Sequence, residues 1–162
     1  MKSICTAAVF FCFAAFAQTS VPTDAKFLDQ FSEHHMDAIK MAKMAEKKAE
    51  NPELKKMARM MVKDQSKEID QMKSWRKELF SSVQKSSSEM PMMDMKDLES
   101  SKGHAFDAAF SEMMAKHHQD GIDMVEKMSP EIKNEKIKQF ALQTAQKQGQ
   151  EKEKLKKMTE KH

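Results

Sequence analysis

Residues 31–41 of this chain, Phe31-Ser32-Glu33-His34-His35-Met36-Asp37-Ala38-Ile39-Lys40-Met41, return in altered form 83 residues later. At that offset His34-His35 falls on His117-His118, Asp37 on Asp120, Ile39 on Ile122 and Met41 on Met124. The register continues without a gap to Asn51 on Asn134, Ala58 on Ala141, Gln65 on Gln148 and Glu68 on Glu151. A fixed offset over more than thirty residues marks one structural unit used twice, with each copy burying the other's apolar face.

The unit reads as a helical hairpin. Charged residues make up 33% of the chain, while Gly is limited to 3 and Tyr to 0, so good helix formers dominate. Phe27, Phe31, His34, Ala38, Met41 and Ala45 form a stripe at helical spacing, from a start at Thr23 or Asp24 to about Glu50. Asn51-Pro52-Glu53 then supplies an N-cap, a proline at the first helical position and an acid in the first turn. The second helix runs from there to about Val83, with Leu54, Ala58, Met61, Gln65, Glu68, Met72, Trp75 and Leu79 inward. The second copy gives a helix over about Lys102 to Met128 and another starting at either Pro130 or Asn134, where two start signals compete. Between the copies lies a Ser- and Met-rich linker, part of which, within Met95 to Ser101, has helical character. Two hairpins joined by one longer connection predict an all-α, antiparallel four-helix bundle. The expected divisions of this single domain are 18–85, the linker 86–102 and 103–162.

Residues 1–17 read as a cleaved signal peptide. Lys2 is the positive start, Ile4 to Phe16 is an apolar run too short to span a bilayer as a helix, and Ala15-Phe16-Ala17 is an A-x-A cleavage site. Both cysteines, Cys5 and Cys12, lie in that segment, so the expected mature chain has neither disulfide nor thiolate chemistry. Loss of Lys2 lowers the formal net charge from +3 to +2. That balance, with no basic clusters on aromatic platforms, argues against nucleic-acid binding. The expected location is periplasmic or secreted, with no stable membrane insertion once the leader is gone.

Helix spacing also places polar residues inward: His34, Gln65 and Glu68, repeated as His117, Gln148 and Glu151. A carboxylate in a bundle core is costly unless paired or neutralised. Imidazoles on the first helix of each hairpin facing Gln and Glu on the second would satisfy that demand. Such contacts also fix the ring orientation of metal-bound histidines. A buried network that only sets helix register fits the same residues. His35 and His118 lie about 100° around the helix from their neighbours, so they are expected toward a flank or groove. A ligand set then needs a third donor. Met113 is four residues before His117, and Met114 four before His118, so each pair shares a helix face. Phe31 and Gln30 stand at those positions in the first copy, where Met36, Met41 and Met44 are the nearby thioethers.

The chain has 17 methionines; Met41, Met57, Met61, Met72, Met124 and Met128 stand at heptad positions where core packing is the simpler use. Met90, Met92, Met93 and Met95 in the linker fill no stripe. They form either a capture loop for Cu(I), which soft thioethers favour, or a hydrophobic cover. No nucleophile elbow, Walker loop or cysteine nucleophile is present. None of His34, His35, His117 and His118 has a Glu three residues before it, so the di-iron carboxylate pattern is missing.

The pattern Phe110, Met114, His117, His118, Ile122, Met124 resembles the domain of unknown function 305 family. So does Asn51-Pro52-Glu53-Leu54 with Met57-Ala58, then Gln65, Glu68, Ile69, Met72 and Trp75. The resemblance covers about Lys26 to Arg76 and Phe106 to Met158. It implies a secreted, ferritin-like four-helix bundle and, through its CopM-type periplasmic copper-binding members, a part in copper resistance. The positions carried over are His34, His35, Met41, Gln65, Glu68 and Met72, then Met114, His117, His118, Met124, Gln148 and Glu151. Phe31 departs from the pattern by replacing the methionine that precedes the first His-His. Gly121 and Leu155 read as ordinary variants.

The expectation is a non-enzymatic copper carrier or buffer, favouring Cu(I) and also taking Cu(II). Met113, Met114, His117 and His118 are the leading donors, with Glu151 and Gln148 behind them. The rival is an exported chaperone or adaptor that holds partner chains in an amphipathic, Met-rich groove without metal.

Overall fold

A computed structural model describes residues 21–86 and 93–159. The expected signal peptide lies outside the described residues, as do Met90 and Met92. The described chain is all-helical. The elements are α1 (Thr23–Lys48), α2 (Pro52–Phe80), the short α3 (Lys96–Ser100), α4 (Gly103–Met128), a 3-10 turn (Ser129–Glu131) and α5 (Glu135–Thr159).

The two hairpin turns are built alike. Asn51 caps α2 by accepting from the Glu53 and Leu54 N–H groups at 2.8 and 3.3 Å. Asn134 does the same for α5 with Lys136 and Ile137 at 3.0 and 3.3 Å. These bonds satisfy N–H groups that a helix start leaves without partners. The competition at the second turn is thereby resolved: Pro130 enters a 3-10 turn, and Asn134 starts the helix.

The hairpins also hold each other. Asp107 of α4 accepts from the Glu50 and Asn51 N–H groups, in the turn of the first hairpin, at 3.0 and 2.8 Å. Asp24 of α1, its repeat-mate, accepts from Lys133 N–H at 2.8 Å and Asn134 N–H at 3.3 Å in the turn of the second. Each hairpin thus ties down the other's turn, which sets α1 antiparallel to α4.

Packing follows a pseudo-twofold. α1 pairs with α2, α4 with α5, and α1 with α4. One apolar cluster contains Met41, Leu54, Ala58, Met61, Leu98, Phe106, Phe110, Met114 and Leu155. The other contains Phe27, Phe31, Ile69, Met72, Met124, Met128, Ile137 and Ala141 at the opposite end. The 83-residue offset exchanges them: Phe27 becomes Phe110, Met41 becomes Met124, Leu54 becomes Ile137. Between these two greasy ends the bundle is polar.

Candidate metal centre

The polar midsection is built by residues that the offset also exchanges. His34 and His117 meet where α1 crosses α4, with ring centroids 3.7 Å apart. His34 Nε2 lies 3.1 Å from the His117 carbonyl oxygen. A carbonyl only accepts, so Nε2 carries the proton and donates it. Burial, then the neighbouring imidazole His35, holds the His34 pKa down to about 3. Burial, then His34 and His118, holds His117 down to about 2. Both rings are therefore neutral at physiological pH. With its proton on Nε2, neutral His34 keeps a bare lone pair on Nδ1.

His35 and His118 turn toward the second helix of their own hairpins. His35 Nε2 donates to Glu68 Oε2 at 3.0 Å. His118 Nε2 lies 2.9 Å from Glu151 Oε2, at ion-pair distance, but the angles are not those of a hydrogen bond and both its ring nitrogens lack a hydrogen-bond partner. Burial pushes the Glu68 carboxyl up, but the His35 hydrogen bond and charge, joined by Lys147, outweigh it and leave it below its usual value.

All four histidines are buried, His35 and His118 completely. The sequence placed His34 and His117 inward and sent their neighbours to a flank. The difference arises because α1 and α4 are central helices. Each is covered on one face by its hairpin partner and on another by its counterpart, so directions 100° apart both point into protein. The carboxylates accordingly meet His35 and His118, and not His34 and His117.

Each of the four Nδ1 atoms is buried without a hydrogen-bond partner, and so are both amide atoms of Gln65 and of Gln148. Buried polar atoms without partners are rare, and a cluster of them marks a place where something else binds. The neutral imidazoles of His34 and His117, with Nδ1 free, suit a soft or borderline metal, since no proton has to leave them first. The donor set fits copper. Among the described residues no group of three or more His, Cys, Asp and Glu forms a ready-made metal cluster, so any further donors would be thioethers, amides or bound water.

Thioether placement differs between the halves. Phe31 touches both imidazoles of its own half, with centroids 5.7 Å from His34 and 4.5 Å from His35. Its repeat-mate is Met114, fully buried, so a thioether stands at the repeat position where the first half has an inert ring. Met113 is half-buried against the same apolar end. Met41 and Met124 lie within the apolar clusters at opposite ends. Met93 and Met95 pack, half-buried, on the end that holds Met114.

Sequence reasoning passed over two residues here. A Cβ added at Gly121 would overlap Gln148 Oε1 and lie 2.8 Å from His34 Cε1, so this glycine makes room for His34 and Gln148. Its repeat-mate is Ala38, and a glycine in place of a buried helix alanine beside the repeated His-His was the available signal. Lys147 bonds Asp64 at 2.8 Å and Glu68 at 3.3 Å. Asp64 and Lys147 are themselves repeat-mates with reversed charge.

The chain is similar to solved structures of CopM. The Cu(II)-bound form is 30% identical with a TM-score of 0.74, and the Cu(I)-bound form 31% identical with 0.75. In both cases the likeness covers 85% of this chain and 96% of the other. A DUF305 protein from Streptomyces coelicolor, 22% identical, has the same fold, with a TM-score of 0.74 over 83% of this chain and 90% of its own. None of the curated proteins compared with the chain matches it. The model of the family described as domain of unknown function (DUF305) matches residues 24–159, from the Asp24 clasp to the end of α5, and the chain belongs to that family.

Proposed function

We propose that this protein is a non-enzymatic copper binder that buffers or carries Cu(I), and also Cu(II), outside the cytosol and so contributes to copper tolerance. The observation that carries the reading is the set of four buried imidazoles, each with an Nδ1 that no protein group satisfies. The neutrality of His34 and His117 suits metal uptake, because no proton has to leave either ring first. Met114, one helical turn before His117 and His118, offers soft sulfur on the same helix face, which favours Cu(I). The similarity to CopM, whose structures hold Cu(I) and Cu(II), supports copper as the metal. The A-x-A leader supports export, and no helix of the described residues is long and apolar enough to cross a membrane.

The chaperone reading asks for a groove of accessible methionines. Met41, Met61, Met72, Met114, Met124 and Met128 are instead buried in the two apolar clusters. The test is an anaerobic Cu(I) competition titration. Joint replacement His117→Ala with Met114→Leu should abolish the tightest site, and unchanged stoichiometry in the folded variant refutes the assignment.

A further inference from the structure

The pseudo-twofold makes two His–Glu pairs, His35–Glu68 and His118–Glu151, whose N···O distances are nearly the same, 3.0 and 2.9 Å, and whose electrostatic surroundings are not. Glu68 has a cation already. Lys147 Nζ lies 3.3 Å from Glu68 Oε1, and Asp64 holds the same ammonium at 2.8 Å. The repeat operation that carries Glu68 onto Glu151 carries Lys147 onto Asp64, so the position that offers an ammonium to Glu68 offers a carboxylate to Glu151. Among the described residues no lysine or arginine forms an ion pair with Glu151. The nearest in sequence, Lys152, donates to Gln119 Oε1 at 2.7 Å. Lys147 therefore fills one of the two sites and leaves the other short of positive charge.

The histidines differ in the same sense. His35 Nε2 has its hydrogen bond to Glu68, whereas His118 is wholly buried with neither ring nitrogen hydrogen-bonded. Its Nε2 and Glu151 Oε2 stand 2.9 Å apart. That is about the spacing of two neighbouring donors on one ion with bonds of about 2.0–2.1 Å meeting near a right angle. Right-angled donor sets of nitrogen and oxygen suit Cu(II). Met114, one helical turn before His118, adds a donor type that Phe31 denies to the first half.

We propose that Lys147 makes the two repeat-related sites unequal: it closes His35–Glu68 to divalent cations and leaves His118–Glu151 as the site that takes Cu2+. This rests on the copper reading above and specifies which half serves the divalent ion and why. An ammonium a few ångströms from Glu68 repels an incoming dication and competes for the same carboxylate, an interaction only weakly screened where both groups are partly buried.

The experiment is titration of the purified protein with glycine-buffered Cu2+, followed by electron paramagnetic resonance, with circular dichroism confirming the fold of every variant. Wild type should show one tight site that Glu151→Gln weakens and Glu68→Gln does not. Lys147→Met should reveal a second site, strengthened at least about tenfold over its wild-type affinity and lost again on adding Glu68→Gln. Lys147→Arg, which keeps the charge, should behave as wild type. Wild-type binding that Lys147→Met leaves unchanged, or that Glu68→Gln and Glu151→Gln weaken alike, overturns the inference while sparing the copper reading. Absence of both Cu2+ and Cu(I) binding from wild type and Lys147→Met overturns both.

Discussion

Acid should unfold the metal-free protein through the closely packed pair His34 and His117. In the unfolded chain each imidazole titrates at its ordinary value of 6.5, but in the fold His34 does so only near 3 and His117 only near 2. The cause is burial first and then the charge of neighbouring imidazoles. Below pH 6.5 the unfolded state binds protons that the folded state refuses. The stability is therefore complete above 6.5 and is lost as pH falls from there toward 3 and 2. From pH 7.5 to pH 5 each group withdraws about 2 kcal/mol, so the pair withdraws about 4 kcal/mol. That is a large share of the ~5–15 kcal/mol typical of a folded domain.

The assay is urea unfolding of metal-free protein at several pH values between 7.5 and 5, read by circular dichroism and by the fluorescence of Trp75. That residue is half-buried edge-on to Phe140 at 5.4 Å. The double variant His34→Gln with His117→Gln, which cannot titrate, isolates the effect from the other four histidines. Wild type should lose about 4 kcal/mol across the range, and the double variant should lose far less. Equal losses in both proteins, or a wild type whose stability is flat over this range, would refute the argument.

Two glycines of similar helical setting should respond in opposite directions to alanine. Gly121→Ala drives a methyl into Gln148 and His34 and should cost about 1–3 kcal/mol, less a gain of about 1 from helix propensity. Gly149→Ala meets only Ile122 Cδ1 at 3.9 Å and should stabilise by up to about 1 kcal/mol, both read by chemical unfolding. Asp24→Ala or Asp107→Ala strands the backbone N–H groups of the opposite hairpin's turn, and each should cost about 1–3 kcal/mol in the same assay. Arg76→Met leaves the buried Asp29 carboxylate without its 2.9 Å partner and frees the Phe80 and Val83 carbonyls, so a loss of about 3–5 kcal/mol is expected. If Arg76→Met unfolds like wild type, that ion pair contributes no net stability.

The offset of 83 residues carried most of the architecture on its own. Periodicity placed the four long helices, Asn51 stands at its expected cap and Asn134 at one of the two competing starts, because capping and helix amphipathicity are local properties that a sequence displays directly. The polar residues of the midsection were legible as a repeated set for the same reason. Their partners were not. Which histidine faces its glutamate depends on how α1 and α4 are rotated against their neighbours, and a single stripe reading has no room for a helix covered on two faces. The contact of His34 with His117, the crossed clasps of Asp24 and Asp107, the space left by Gly121 and the reach of Lys147 to Glu68 all join residues of different hairpins. Spacing along the chain fixes what lies on a helix face, whereas the antiparallel docking of two hairpins fixes what that face meets.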